Sequence, residues 1–112
     1  LNRAALGEGL AFAEALGFDA GEALALLKET PAVSAAMEAK GGKMAGGEYH
    51  PPQARLVQHL KDVCLIRLLA SKTGAQTPLT DVHQNLLEKA EALGFGEADN
   101  AAIIEVFRQG SL

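Results

Sequence analysis

The chain has no tryptophan, one cysteine, one tyrosine and four phenylalanines among its 112 residues. Each shortage excludes something. A single thiol, Cys64, cannot close an internal disulfide, so the expected compartment is the reducing cytosol. With aromatics at 4%, one of the two residue classes that favour strands is nearly missing. No apolar run approaches the roughly 20 residues needed to cross a bilayer, so no membrane partner is expected. The opening Leu1-Asn2-Arg3-Ala4-Ala5 lacks the layout of a signal peptide, and the missing initiator methionine suggests a trimmed or partial chain. Basic residues never gather into a block, and 10 Lys and Arg face 14 Asp and Glu for a net charge of −4. A phosphate backbone needs clustered cations, so no nucleic-acid partner is expected.

What the chain has in quantity is Ala, 21 residues, and Leu, 17, the leading helix formers. The fold class expected is all-α, an irregular bundle of about six helices in one domain spanning residues 1–112. Ala5, Leu6, Leu10, Ala13 and Leu16 recur at helical spacing and predict a first helix ending at Gly17. A short second helix runs over about 22–29, with Ala23, Leu24 and Leu27 inward and Thr30-Pro31 closing it. Ser34 can cap a third helix through about Met44, with Met37 in the core. Gly41-Gly42 and Gly46-Gly47 predict a frayed end there.

The longest helix is expected over about 52–72, with proline in its first turn. Leu56, Leu60, Cys64 and Leu68 recur at i+4, and from Val63 to Ala70 Arg67 is the only charge. A helix apolar on most sides is buried by several neighbours, so this one should be the central helix, with Cys64 a small buried hydrophobe. Thr77-Pro78 opens a fifth helix to about Leu93, with Val82, Leu86, Leu87 and Ala90 inward. Residues 94–99 form a turn, and Asp99 or Asn100 caps a last helix over about 101–107.

Few residues carry chemistry on their own. Lys61, flanked by Val57, Leu60, Val63, Cys64 and Leu65, is by itself an ordinary snorkelling lysine, and Asp62 next to it points elsewhere on the helix. His50, His59 and His83 do not stand at metal-ligand spacing with Cys64 or a carboxylate, so no metal is expected. Asp81-x-His83 points two ways on a helix and makes no dyad, and His59 reads as a surface residue that could rim a cleft. Gly94-x-Gly96 follows no strand and is a helix–helix turn rather than a dinucleotide fingerprint.

Three blocks in order do carry a resemblance. The first is Gly7-Glu8-Gly9-Leu10-Ala11-Phe12-Ala13-Glu14, ending at Gly17-Phe18-Asp19. The second runs from Tyr49-His50-Pro51-Pro52 to Lys61-Asp62. The third is Gly74, Pro78 and then Gly94-x-Gly96-x-x-Asp99-x-x-Ala102-x-Ile104. Together they resemble the helical second domain of the β-hydroxyacid dehydrogenases, the family of 3-hydroxyisobutyrate dehydrogenase and the glyoxylate/succinic semialdehyde reductases, related to the 6-phosphogluconate dehydrogenase C-terminal domain.

The resemblance implies a two-domain NAD(P)-dependent oxidoreductase of which this chain is the C-terminal part. A first, dinucleotide-binding domain would hold NAD or NADP; this chain alone should bind neither and catalyse nothing. Lys61 would face the nicotinamide and the bound hydroxyacid or semialdehyde, as a compact charge suited to a carboxylate or phosphate. Asp62 would line the substrate pocket or fix the helix. The family's catalytic lysine, general acid towards a carbonyl and base in reverse, would fall about eight residues before Leu1, so no catalytic residue is expected within the chain. Ala54 stands where the family commonly has phenylalanine, which implies a wider or differently tuned pocket. Partners would be the first domain and a second copy in a homodimer. The competing expectation is a stand-alone helical module for interaction or dimerisation, with the chemistry lost.

Overall fold

The computed structural model describes residues 1–109, and among them every regular element is helical. Six α-helices follow in order: α1 (Asn2–Ala15), α2 (Ala20–Lys28), α3 (Ala35–Gly46), α4 (Leu56–Thr73), α5 (Pro78–Ala90) and α6 (Ile104–Arg108). A π turn over Glu91–Phe95 follows α5, and a 3-10 turn over Asn100–Ile103 leads into α6.

Local chemistry explains most boundaries. Ser34 caps α3 by accepting from Met37 N, as the sequence predicts, and Asp19 caps α2 by accepting from Glu22 N. Gly74 ends α4 in the left-handed conformation open to glycine. α3 does not fray at its glycines but continues through both pairs to Gly46. Gly41 is buried against Leu24, so α2 holds that turn in place.

The core is centred elsewhere than expected. Leu10 of α1, Met44 of α3, Leu56 of α4 and Leu87 of α5 meet the segment Ala101–Ile104 and Val106, all fully buried or nearly so. α1 packs against α2, α3 and α6, and its Gly7 lets the backbones approach until an added Cβ would stand 3.2 Å from Ile104 Cα. The short C-terminal segment is thus the hub.

α4 is the longest helix but not the central one. Beyond Val63 only Ala70 is buried; Cys64, Leu65, Ile66, Leu68 and Leu69 are all exposed. The pattern that predicts burial on several sides is real, but among the described residues α5 is the α-helix that packs most closely on α4, and it leaves this part of α4 exposed. Val82, expected inward, is exposed with Leu79 on the side of α5 that faces α1. The N-terminal limit of α4 also differs, starting at Leu56 rather than near Pro52. The amides of Gln53 and Ala54 are drawn outward to Asp99, which holds residues 53–55 extended.

Candidate functional site

Lys61 and Asp62 lie one turn inside α4, both exposed. At 3.6 residues per turn, Lys61 shares its side of the helix with Leu65 and Leu68, away from buried Leu60 and Val63. The ammonium therefore stands at the end of an uncovered apolar face. Asp62 points to the side of His59, and its charge reaches that ring. The two residues are neighbours that diverge, as their spacing dictates.

The turn that launches α4 is fixed by a buried charge cluster. Asp99 is 0% exposed and Lys40, from α3, is 5% exposed. Lys40 Nζ donates to both carboxylate oxygens of Asp99 at 3.0 Å. Gln53 N, at 2.9 Å, and Ala54 N, at 3.2 Å, donate to Oδ1, and Ala101 N donates to Oδ2 at 2.9 Å. Burial pushes the Asp99 carboxyl up, but the donors from Ala101, Lys40, Gln53 and Ala54 outweigh it and hold it below the ordinary range. Four backbone bonds extend the clamp: Asp99 N to Tyr49 O, Asn100 N to Ala54 O, Leu56 N to Ala98 O and Val57 N to Gly96 O. Asp99 is thus the helix cap that the sequence suggests and also the tie between α3, the start of α4 and the C-terminal hub.

A second cluster fastens α6. Arg108 donates to both oxygens of Glu14 on α1, at 2.8 and 3.1 Å, and to Glu105 at 3.0 Å. Tyr49 donates to the same Glu105. Burial raises the Tyr49 hydroxyl, and the bond to Glu105 raises it further. Burial also pushes Glu105 up, yet the bonds from Tyr49 and Arg108 bring it below its usual value.

His59 and His83 do not behave as surface residues. Their rings meet edge to face with centroids 5.1 Å apart, and the Nε2 atom of each is buried without a partner. His83 is 3% exposed and titrates at about 4, lowered first by burial. His50 is exposed. Among the described residues no three His, Cys, Asp or Glu side chains are grouped to hold a metal, and no helix is long and apolar enough to cross a membrane.

Two of these residues carry a legible signal in the sequence. Lys40 stands three residues after Met37 and four before Met44, so it shares their core face. A lysine there needs a buried partner. His83 stands four before Leu87 and seven before Ala90, likewise in core register.

Residues 1–107 match the family described as NAD-binding of NADP-dependent 3-hydroxyisobutyrate dehydrogenase. The fold is that of a 3-hydroxyisobutyrate dehydrogenase from Salmonella typhimurium, with a TM-score of 0.88 and 23% identity over 94% of this chain and 36% of that one. The chain is also similar to the cytokine-like nuclear factor N-PAC of Aedes aegypti, 31% identical over 89% of this chain. The N-PAC of Drosophila melanogaster is 26% identical over 88%. The chain spans 18% and 16% of the length of these two relatives. With the match running across nearly all of its helices, the chain belongs to the family of 3-hydroxyisobutyrate dehydrogenase-like NAD-binding domains.

Proposed function

We propose that the chain is a single helical domain, the C-terminal part of an NAD(P)-dependent β-hydroxyacid dehydrogenase or semialdehyde reductase. It would close the cleft over nicotinamide and substrate. The observation that carries the reading is the place of Lys61: a cation at the end of the exposed face of Leu65 and Leu68, within a family whose members bind NAD. In this reading another domain covers the apolar face and brings substrate against the ammonium. Asp62 takes the neighbouring side of the cleft. The dinucleotide, NAD or NADP, is held by the first domain, and the lysine that moves the proton lies upstream of Leu1. This chain alone binds no cofactor and is inactive; its compartment is the cytoplasm.

A second copy is the other partner. Leu69 and Ile66 extend the uncovered surface of α4 beyond what one cleft needs, which supports a homodimer built on α4.

The test is Lys61→Ala in the protein that carries the first domain. A charged contact to a carboxylate contributes about 1.5–3 kcal/mol, so kcat/KM for a small hydroxyacid should fall about 10- to 150-fold. Unchanged kcat and unchanged KM would remove Lys61 from the cleft.

One observation favours a second reading. The curated relatives named above are called cytokine-like nuclear factors, not dehydrogenases. In that reading the fold is a non-catalytic interaction module and the α4–α5 face is its contact surface. The reading frame upstream of Leu1 separates the two. A glycine-rich strand–helix turn followed by a lysine about eight residues before Leu1 supports the enzyme. A start near Leu1 supports the module.

A further inference from the structure

An apolar groove runs between α1 and α2. Its wider part, about 530 Å³, is lined by Gly9 and Ala13 of α1, by Phe18, and by Glu22, Leu26 and Leu27 of α2. It continues into a narrower part of about 340 Å³ towards Ala5 and the start of α3, and the two parts share Gly9 and Leu27. Ala5, Gly9, Phe12 and Leu16 fall on one stripe of α1, about three turns or roughly 16 Å long. Phe12, Leu16, Phe18 and Leu26 are 60–66% exposed, and two of these are among the chain's four phenylalanines. Apolar side chains of that size, gathered at one place in water, mark a contact surface.

Two observations say what the surface contacts. The first is Gly9. An added Cβ there would meet nothing within 4 Å, whereas one at Gly7 would abut Ile104. Glycine in mid-helix is unfavourable in itself, and packing within the chain does not call for it at this position. It leaves the floor of the groove bare, so that another backbone can approach α1 closely. The second is charge. Asp19, Glu22 and Glu29 are all exposed and stand on the side of α2 that carries Leu26. Among the described residues none of the three is in an ion pair, and no lysine or arginine lines the groove. Lys28, the base of α2, points the other way and meets Glu38 of α3 at 3.9 Å.

A second copy laid face to face would set this acidic rim against itself with no base to meet it. A fatty acid or an anionic lipid surface carries the same sign of charge as the rim. The complement is a segment with an apolar stripe and basic flanks, and the groove has the length of a three-turn helix.

We propose that the groove between α1 and α2 is a docking site for a basic amphipathic helix of a partner protein. Its apolar side chains, at i, i+3 or i+4 and i+7, lie over Gly9 between Phe12, Phe18 and Leu26, and its lysines or arginines meet Asp19, Glu22 and Glu29. The site does not depend on the dehydrogenase reading, since it stands on α1 and α2 and Lys61 stands on α4.

The experiment selects phage-displayed random peptides, each about 16 residues and so long enough for three helical turns, on the protein. Enriched peptides are then measured by fluorescence anisotropy on the unaltered protein, on Gly9→Arg, and on Glu22→Lys combined with Glu29→Lys. The peptides should carry apolar residues at helical spacing among lysines and arginines, and each variant should bind them about 10-fold or more weakly. Gly9→Arg puts a good helix former where nothing stands in its way, so the fold is kept, as far-UV circular dichroism checks. Affinity unchanged in either variant, peptides without an excess of basic residues, or no enrichment at all would overturn the proposal. Self-association of the protein alone that Gly9→Arg abolishes in sedimentation velocity would also overturn it, and would give the groove to a second copy.

Discussion

Replacing Asp99 with alanine should be the most damaging single change in the chain, and the structure says by how much. The substitution leaves Lys40 5% exposed with no carboxylate, and it strips the amides of Gln53, Ala54 and Ala101 of their acceptor. Removing one partner of a buried ion pair costs about 3–5 kcal/mol. Water can replace the acceptor at Gln53 and Ala54, which are partly open, but not readily at Ala101, which adds about 1 kcal/mol. The expected loss is about 5 kcal/mol, comparable to the total stability of many domains of this size. Lys40→Met breaks the same pair from the other side. There the carboxylate keeps its three amide donors, and a methionine joins Met37 and Met44 on the core face, so the expected loss is only about 1–2 kcal/mol. Urea unfolding followed by far-UV circular dichroism measures both, comparing midpoints at constant slope. A cost for Lys40→Met equal to that for Asp99→Ala would refute the assignment of Asp99 as the organising group. Acid provides a second check. The native carboxyl titrates below the ordinary 3.8, so its contribution is complete above that pH and is lost as pH falls through the lower native value. In a variant soluble enough to measure, Asp99→Asn should lack that slope.

Three further outcomes are expected. His83 is held neutral, with its pKa lowered from 6.5 to about 4 first by burial, so its folded-state contribution is intact above 6.5 and declines as pH falls from there to 4; a stability–pH curve for His83→Gln should be flatter across that window. An added methyl at Gly41 would meet Leu24 Cδ1 at 2.6 Å, whereas one at Gly42 meets nothing within 4 Å. Gly41→Ala should therefore cost about 1–3 kcal/mol and Gly42→Ala should stabilise by up to about 1 kcal/mol, read from thermal unfolding. Leu65→Asp with Leu69→Asp changes side chains 55% and 54% exposed, so the fold should lose little stability, within about 0.5 kcal/mol for each. Sedimentation velocity should find the association of the wild-type protein weakened, and an unchanged mass distribution would argue against an interface on this face.

Helix number, order and the Ser34 cap are legible because they depend on near neighbours: Ser34 reaches Met37, and Thr77-Pro78 precedes α5. The start of α4 was not, because the acceptor that holds residues 53–55 out of the helix is Asp99, more than forty residues away. The burial of α4 was misread for a related reason. An apolar surface at helical spacing reports that something covers the helix, and among the described residues α5 is the α-helix packed most closely on α4. Cys64 and Leu68 therefore sit in solvent here while their spacing reads as core. For the candidate site, the Lys61-Asp62 motif is visible only through family resemblance. The buried Lys40 and His83 are written into helical register beside Met37, Met44 and Leu87, but register alone does not name a partner.

The hub has a consequence for how the chain folds. Its ties are long in sequence: Lys40 to Asp99 spans 59 residues, and Arg108 to Glu14 spans 94. Helical proteins usually close through local contacts and fold fast, and loop closure over such distances slows that process. During synthesis α1 to α5 can form as separate helices, but the buried lysine has no counter-ion until Asp99 arrives, and α1, α3, α4 and α5 lack the packing that each makes with Asn100–Ile103 until that segment follows. The domain is therefore expected to assemble in one late step, when its last ten or so described residues become available. Substitutions at Ala101, Ile103 or Ile104 should then slow refolding as well as lower stability.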